Sequence, residues 1–578
     1  MLLRTFSGLS RATRCGRNCA RRAPRGPRTL ETCCYRSDMD EAQIATLRTV
    51  AQGELFGLVT GEGAHSWRGI PFAASTAGEN RWRAPRPAPA WEGRRAALTF
   101  ADRCAQLTTV FDKKEGLSPG QLIGSEDCLA LDIYAPTDAQ GEGLPVMVWI
   151  HGGYNVWGRS SSYNGSKLAL EQGVIVVAVQ YRLGPLGWFA HEALRASAEL
   201  PEDGAACFAI LDLIASLRWV RDNIAAFGGD PSCVTIFGES AGGHNVAMLL
   251  ASPLAKGLFH RAIVQSGSFD SLALAVAEGD EGGHANPAKT IVEALDARSA
   301  QALRATSLAQ LFAAYSIEGN FLDLPRGISD GVVLPATPLR EAFASRETFN
   351  CVPIMSGTTR DEMKLFYLGN ETFTKKRLGV FPVARDQELF DALTHYISRI
   401  WRVRAVDEPA AMMRKAGHDS VYAYRFDWDE GGRFLFMNFK KLLGAAHGFE
   451  IPFVFHHFHH LGPADAVLFK RSTLAEREEL SRIMGGYWAS FARAGVPAHP
   501  GAPAWPCYGE EGSFMRLDTE NDGGVELRSG SDSIGSIIVD LKRDPRLDEA
   551  ERFMIVAEID NWMFTRPLRA RFRAEFER

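Results

Sequence analysis

The chain has 578 residues, of which 46% are hydrophobic and 23% are charged, and its formal net charge is −5. This composition is typical of a large globular protein and excludes collagen-like and low-complexity chains. No run of about 18 apolar residues occurs, so we predict no transmembrane segment. The near-balanced charge offers no basic footprint for nucleic acid, which we do not expect as a partner.

The first 36 residues differ from the rest in charge, because they carry nine Arg against one acidic residue, Glu31. Two interpretations fit this segment. An Arg-rich, acid-poor composition is typical of an organelle transit peptide, whereas a true start at Met39 would make the upstream stretch disordered or wrongly translated. We therefore treat residues 1–38 as a separate disordered or targeting segment. No apolar core of a secretory signal is present, so we expect a cytoplasmic protein, or an organellar one if the segment directs import.

From about Gly57 onward, short apolar β-branched runs alternate with amphipathic stretches, which predicts an α/β fold with a mostly parallel sheet. A helix between the second and third runs is indicated by apolar residues at spacings of three and four, from Ile210 to Ile224. No repeat or linker divides the body, so we predict one domain over residues 39–578, with insertions at 270–345 and 365–415. The candidate strands are Val146 to Ile150, Val174 to Val179, Val234 to Phe237, Ala262 to Val264, Val352 to Met355 and Val421 to Tyr424.

A candidate nucleophile lies in the pentapeptide Gly238-Glu239-Ser240-Ala241-Gly242, which has the G-x-S-x-G form. Its two glycines permit a tight turn that lifts the serine hydroxyl above a sheet. A second match surrounds Ser118, but no strand leads into it, and Pro119 cannot donate a backbone N–H beside the nucleophile. Ser240 instead follows an apolar strand and opens a helix, so we predict that Ser240 is the nucleophile.

Acyl transfer by a serine also needs backbone N–H donors for the oxyanion of the tetrahedral intermediate. His151-Gly152-Gly153 ends the strand Val146 to Ile150, where an α/β hydrolase carries its oxyanion loop. We therefore predict that Gly152, Gly153 and Ala241 supply the oxyanion hole, and that His151 has a structural role.

These residues resemble the type B carboxylesterases, which include the cholinesterases, within the α/β-hydrolase fold. The resemblance rests on several stretches between about residues 53 and 510, including Phe227 to Gly243 and Glu126 to Tyr134, with a departure at Ala130. It implies a mostly parallel central sheet flanked by helices, with large insertions. It also implies a serine carboxylesterase that forms an acyl-enzyme on Ser240 and needs no cofactor or metal.

The resemblance also implies the acid and the base. His447 lies in a segment similar to the family's histidine loop, and Glu362 occupies the family's acid position, with Asp361 as the fallback. Asp330 is a weaker candidate for the acid, because its sequence context indicates a turn residue. Ser266 resembles a hydroxyl that supports the acid and the histidine, although a strand-end serine fits equally well.

Other features leave alternatives open. The tract His456 to His460 has the composition of a metal site, yet no carboxylate stands at a clear ligand spacing, and a polar loop is the simpler interpretation. Cys104 and Cys128 match the positions of a disulfide in family members, but the sequence does not establish whether the bond forms. His244 and Asn245 follow Ser240 where the family more often has small residues.

The expected substrate is a small, neutral carboxylic ester. Cholinesterases hold a quaternary ammonium with a Trp inside the first cysteine loop, and residues 105–127 contain no Trp. Tyr154, Trp157 and Phe269 are candidate pocket walls, with core packing as the alternative for each. The rival functions are an adhesion protein that has lost catalysis and an interfacial lipase. The sequence predicts neither the acyl and alcohol preference nor the oligomeric state.

Overall fold

Alternate side chains of one apolar strand, Leu144–Ile150, enter two separate cores. Val146, Val148 and Ile150 belong to one buried cluster, while Met147 and Trp149 belong to another. Because successive side chains of a strand point to opposite faces, this division means that the sheet is covered on both sides.

The computed structural model describes residues 40–279, 287–315, 325–459, 464–562 and 566–577, so the predicted segment 1–38 lies outside the described residues. Glu41–Arg578 forms one unit.

The strand belongs to an 11-stranded mixed sheet with the spatial order β11-β10-β9-β8-β7-β6-β4-β5-β3-β2-β1. Its members in chain order are β1 (Leu58–Val59), β2 (His65–Pro71), β3 (Ala130–Ala135), β4 (Leu144–Ile150), β5 (Ile175–Val179), β6 (Gly229–Glu239), β7 (Arg261–Gln265), β8 (Ile354–Thr359), β9 (Val421–Phe426), β10 (Phe514–Leu517) and β11 (Glu526–Arg528).

The six predicted strands are confirmed as β4 to β9. They lie together with β10 in a continuous parallel region, and antiparallel pairs occur only at its two sides, from β5 to β1 and between β10 and β11. Parallel strands end at the same edge of a sheet, so the loops after β4, β6, β7 and β8 are neighbours there.

The helices cover both faces of the sheet. In the described residues the longer ones are α1 (Phe208–Asn223), α2 (Ala241–Ala251), α3 (Pro287–Leu295), α4 (Gln387–Arg402), α5 (Glu408–Lys415), α6 (Leu474–Ala494), α7 (Ile534–Arg543), α8 (Glu549–Trp562) and α9 (Arg566–Glu577). Shorter helices are Glu41–Ala45, Ser166–Gln172, Glu192–Ala196, Leu274–Ala277, Ala300–Ala305, Leu308–Ala314, Glu362–Tyr367, Phe439–Leu442, Ile451–Val454 and Asp465–Leu468. No helix in the described part of the chain combines the length and apolarity needed to cross a membrane.

The predicted helix between β5 and β6 is confirmed as α1. It is fixed to the loop after β5 by a fully buried ion pair, in which Arg182 Nε and Nη2 donate to the Asp212 carboxylate at 2.8 and 2.7 Å. A bidentate Arg–carboxylate pair is directional, so it sets how the helix lies against the strand ends.

The two predicted insertions lie between β7 and β8 and between β8 and β9. A small three-stranded sheet is formed by Arg48–Val50, Gly53–Phe56 and Arg94–Ala96. Four two-stranded sheets are formed by Gln106–Leu107 with Leu122–Ile123, Ser271–Ala273 with Gly327–Ser329, Thr374–Arg377 with Phe381–Ala384, and Arg433–Phe434 with Met437–Asn438, of which the second and third lie in these insertions. After the main sheet, α7 packs its buried residues Ile537, Ile538 and Leu541 in a third core with α4.

Candidate active site

Ser240 occupies a sharp turn between β6 and α2. Its backbone angles are φ 58° and ψ −122°, a region that costs a non-glycine residue roughly 1–3 kcal/mol. The turn can form because its flanking glycines pack against backbone. A Cβ on Gly242 would lie 2.0 Å from the carbonyl oxygen of Ile150, and one on Gly238 would lie 2.7 Å from Gly242. The Ser240 N–H donates to the Gln265 carbonyl oxygen at 2.9 Å, which ties the turn to β7.

The other serines in G-x-S-x-G matches have different surroundings. Ser118 lies in an exposed loop, where its carbonyl oxygen accepts a hydrogen bond from Thr108 Oγ1 at 2.5 Å. A third match, Gly327 to Gly331, was missed in the sequence analysis. Its Ser329 is buried and donates to the Thr337 carbonyl oxygen at 2.8 Å. Neither serine stands at the carboxyl end of a strand of the main sheet.

Glu362 and His447 are in contact. His447 Nδ1 lies 2.5 Å from Glu362 Oε2, and Glu362 is fully buried at the start of the short helix after β8. The other carboxylate oxygen, Oε1, accepts from Ser266 Oγ at 2.6 Å and from the Thr359 N–H at 2.7 Å. Both oxygens are therefore engaged, so the carboxylate has one fixed orientation toward the imidazole.

The alternative acids make other contacts. Asp361 pairs with Arg360 at 2.8 Å and with Lys364, and it accepts the Ala445 N–H. The Asp330 carboxylate accepts backbone N–H groups from residues 332–334 and from residue 206. Asp330 therefore caps a turn, as its sequence context suggested.

Two further carboxylates lie close to His447, and the sequence analysis gave neither a role. Glu239 Oε1 is 3.0 Å from His447 Nε2, and Glu450 is fully buried with its Oε1 3.2 Å from Gln265 Nε2. Glu450 follows His447 by three residues, a local signal that could have identified it, whereas nothing in the sequence marked Glu239 as a neighbour of the imidazole. In the described residues, His447 Nε2 forms no hydrogen bond, either to Ser240 Oγ or to Glu239 Oε1, which lies 3.0 Å away.

Burial and charge act in opposite directions on these groups. Burial raises the pKa of Glu239, and the nearby His447 partly offsets this. Burial by itself lowers the pKa of His447, but the adjacent carboxylates Glu239 and Glu362 outweigh it and raise that pKa above the usual range for histidine. The site thus stabilises an imidazolium, the species that forms when His447 takes up a proton.

The loop after β4 lies directly beside Ser240. A Cβ on Gly152 would stand 3.1 Å from Ser240 Cβ and 2.8 Å from the Glu239 carbonyl oxygen, and one on Gly153, where φ is 104°, would stand 2.0 Å from the Trp157 carbonyl oxygen. Both positions therefore require glycine. His151 is buried with Nδ1 2.8 Å from the Gly152 carbonyl oxygen, and burial lowers its pKa to about 4.

The Gly152 backbone also contacts a tyrosine hydroxyl. Burial raises the pKa of Tyr163, and a hydrogen bond from the backbone of Gly152 acts in the opposite direction.

Comparisons with known proteins agree with this geometry. A family model described as the carboxylesterase family matches residues 43–379 and 373–532. The chain belongs to the carboxylesterase family. It is 34% identical over 534 residues to a human (Homo sapiens) protein named cocaine esterase, which covers 84% of this chain and 89% of that one. It is likewise 34% identical over 509 residues to a para-nitrobenzyl esterase of Bacillus subtilis (strain 168), which covers 82% and 94%.

Solved structures show the same fold. A carboxylesterase of Geobacillus stearothermophilus aligns with a TM-score of 0.68 and 30% identity, covering 86% of this chain and 99% of that one. A structure titled PNB esterase aligns with a TM-score of 0.66 and 29% identity, covering 88% and 99%. The fold is therefore the α/β-hydrolase fold, and the protein is a serine hydrolase of carboxylic esters, a class whose substrates are small esters.

In this carboxylesterase a cavity of about 100 Å³ opens beside Ser240. Of the predicted pocket walls, only Tyr154 lines it. The prediction for the other two was wrong, because Phe269 is fully buried with its ring 5.1 Å from that of Phe343, and Trp157 stacks at 5.3 Å on Phe111. The residues that line the cavity are Tyr154, Asn155, Ser240, Ala241, His244, Ser266, Gly267, Ser268, Pro325, Arg326, Trp401, Arg404 and Ala405.

Two aromatic residues of the second insertion, Phe366 and Trp401, contact His447. The ring of Phe366 lies 4.9 Å from the imidazole and that of Trp401 lies 5.3 Å away. His244 also lines the cavity. Its Nε2 is 2.8 Å from the Asp270 carbonyl oxygen, and burial lowers its pKa to about 4. A neutral His244 adds no charge to the cavity wall beside Ser240.

The paired cysteines and the histidine tract make the following contacts. Cys104 and Cys128 form a disulfide with a Cα–Cα distance of 5.0 Å. His456 Nδ1 contacts Glu171 Oε2 at 2.6 Å, and His460 lies outside the described residues. Within the described ranges, no three His, Cys, Asp or Glu side chains gather in a geometry for a metal ion.

Proposed function

We propose that Ser240, His447 and Glu362 are the nucleophile, the general base and the orienting acid of a carboxylesterase. The observation that carries the proposal is the buried contact of 2.5 Å between His447 Nδ1 and Glu362 Oε2, next to a serine held at a strained turn. A carboxylate on Nδ1 keeps the proton on that nitrogen and leaves Nε2 free to accept one.

The reaction follows from these positions. Nε2 of His447 takes the hydroxyl proton as Ser240 Oγ attacks the ester carbonyl carbon. The imidazolium then gives this proton to the departing alcohol, and water repeats both steps on the acyl-enzyme. Glu239 Oε1, 3.0 Å from Nε2, competes with Ser240 for that nitrogen and favours the charged imidazole.

The oxyanion donors proposed here are the backbone N–H groups of Gly153 and Ala241. Ala241 opens α2 directly after the nucleophile, and Gly153 follows β4 at the same edge of the sheet. The Gly152 N–H, predicted from the sequence, and the adjacent Tyr154 N–H are the candidates for the third donor. Tyr154 lines the cavity that contains Ser240.

The proposed substrate is a neutral carboxylic ester with a small acyl group. The cavity beside Ser240 is small, since pockets for drug-sized ligands span about 300–1,000 Å³. Arg404, which lines the cavity, pairs with Asp270, and Arg340 pairs with the same carboxylate. An anionic substrate that binds Arg404 would have to displace its pair with Asp270.

The decisive experiment compares Ser240→Ala with Ser118→Ala in hydrolysis of a short-chain nitrophenyl ester. We expect Ser240→Ala to lose about 10⁶ in kcat. The matched variant Ser118→Ala, which alters an exposed loop serine in the same pentapeptide pattern, is expected to keep the wild-type rate. Retained activity in Ser240→Ala together with a loss in Ser118→Ala would reverse the assignment.

We also propose that residues 39–578 act as one catalytic domain, separate from residues 1–38. The proposal is supported by the single unit Glu41–Arg578. N-terminal sequencing of the native protein tests whether residues 1–38 are part of the mature chain.

A further inference from the structure

Two β-hairpins lie side by side outside the main sheet. The first hairpin joins Thr374–Arg377 to Phe381–Ala384, and the second joins Arg433–Phe434 to Met437–Asn438. They meet through aromatic rings, because the Phe381 ring lies 5.9 Å from that of Phe434 and 6.4 Å from that of Phe436. We call these two segments the paired hairpins.

The turns of the paired hairpins expose large apolar side chains. Leu378 is 76% exposed, Leu435 is 67% exposed, and Val380 is 67% exposed. Both leucines have φ 50°, a left-handed conformation that is unusual for a bulky residue. Phe434 and Phe436 are also about half exposed. Single exposed apolar residues are ordinary, but a contiguous cluster of this kind marks an interaction surface.

Basic residues surround this apolar cluster. Residues 374–384 and 433–441 contain six Lys and Arg and no acidic residue, whereas the whole chain has a net charge of −5. All six are exposed: Lys375, Lys376, Arg377, Arg433, Lys440 and Lys441.

Few of these charges are neutralised by neighbours. Lys376 pairs with Glu371, and Lys440 pairs with Asp429 and Asp522. Among the described contacts, the other four basic residues form no ion pair with a carboxylate, and the Arg377 guanidinium lies 5.4 Å over the Phe436 ring.

We propose that the paired hairpins dock the enzyme on an anionic lipid membrane. Aliphatic tips with aromatic flanks enter the boundary between headgroups and acyl chains, and surrounding Lys and Arg are attracted to anionic headgroups. A nucleic acid would use the basic residues but leave the leucine tips exposed. A second copy of this chain, bound through the same surface, would place its six basic residues against the six of the first copy, and these like charges would repel each other.

The position of the paired hairpins in the chain connects docking to the active site. The first hairpin begins seven residues after the helix Glu362–Tyr367, and the second hairpin runs into Phe439–Leu442, shortly before His447. Short chain segments therefore connect the paired hairpins to two of the proposed active-site residues, Glu362 and His447. Docking therefore places the enzyme where esters dissolved in a membrane are available. The lipid-binding test below is independent of the proposed catalytic residues.

The test is sedimentation of the full chain with vesicles of phosphatidylcholine alone or with about 30 mol% phosphatidylserine. We expect binding to the anionic vesicles that weakens with salt. Leu378→Ser and Leu435→Ser together are expected to reduce the partition coefficient by about a hundredfold. Lys375→Gln and Arg433→Gln are each expected to reduce it by roughly fivefold. Leu527→Ser, at a leucine 42% exposed on β11, is the control and should bind as wild type does.

Comparison between variants is essential, because the nine Arg in residues 1–36 also attract anionic vesicles and are common to every variant. Hydrolysis of a soluble ester should be unchanged in all of them, which verifies folding. Equal binding by wild type and the double leucine variant would overturn the proposal, as would equal binding to both vesicle types. A concentration-dependent dimer that is lost in the leucine variant, without vesicle binding, would instead assign the surface to a second copy.

Discussion

The replacement Glu362→Gln tests how the buried carboxylate controls His447. The Thr359 N–H can only donate, so the glutamine carbonyl oxygen must take the Oε1 position, 2.7 Å from that nitrogen. The amide NH₂ then takes the Oε2 position, 2.5 Å from His447 Nδ1. Because NH₂ is a donor, Nδ1 must be unprotonated, and the ring proton moves to Nε2. This tautomer cannot accept the Ser240 proton.

Two contributions set the size of the effect. If the glutamine amide rotates by 180°, its carbonyl oxygen faces His447 Nδ1 and the tautomer protonated on Nδ1 is restored. The amide NH₂ then meets the Thr359 N–H, which is also a donor, and this costs about 1–3 kcal/mol. Loss of the negative charge removes a charge-assisted hydrogen bond to the imidazolium, which is worth about 1.5–3 kcal/mol. The total of roughly 2.5–6 kcal/mol corresponds to a kcat lower by about 10²–10⁴-fold.

The assay is steady-state hydrolysis of a nitrophenyl acetate ester, with melting temperature as the check on folding. Glu362 does not line the cavity, so KM should change little. Asp361→Asn is the matched control, since it alters the neighbouring carboxylate that pairs with Arg360, and its kcat should stay within about tenfold of wild type. A Glu362→Gln enzyme within tenfold of wild type would refute the reasoning, and so would an equal loss in Asp361→Asn.

Two further predictions concern the immediate neighbours of Ser240. In Gly152→Ala the new Cβ would meet the Glu239 carbonyl oxygen at 2.8 Å, so the loop must shift, and we expect kcat to fall by about 10²-fold; Gly61→Ala, at a glycine with open space around it, should leave kcat unchanged. Glu239→Gln removes a carboxylate that favours the imidazolium, so the pKa of His447 should fall and the rising limb of the kcat–pH profile should move to lower pH. An unchanged limb would show that Glu239 does not control His447.

The main sheet was predictable from the sequence because its strands are covered on both faces and therefore read as continuous apolar runs. The prediction for β8 was incomplete for the same reason. Its last four residues, Ser356 to Thr359, are small and polar, yet they are buried and pair with β9. Apolarity alone does not mark a buried strand end that supports polar groups of a site.

Local motifs and the family resemblance were sufficient to predict Ser240, Glu362 and His447, but not the other groups around the imidazole. Glu239 approaches His447 from a segment about 200 residues away, and such proximity leaves no local pattern, whereas Glu450 lies only three residues after His447 and could have been noticed there. The pocket walls were mispredicted because a large aromatic residue near the motif fits the core as well as a cavity. Phe269 packs inward, whereas Trp401, more than a hundred residues away, lines the site.

The central claim is that a covalent acyl intermediate forms on Ser240, and the most direct test is to trap it. The wild-type enzyme is treated with a fluorophosphonate that mimics the tetrahedral intermediate, and its peptides are mapped by mass spectrometry. The account predicts one adduct per chain, on the peptide that contains Ser240, with loss of activity in proportion to labelling. An adduct on Ser118 or Ser329, or full inactivation with Ser240 unmodified, would contradict it.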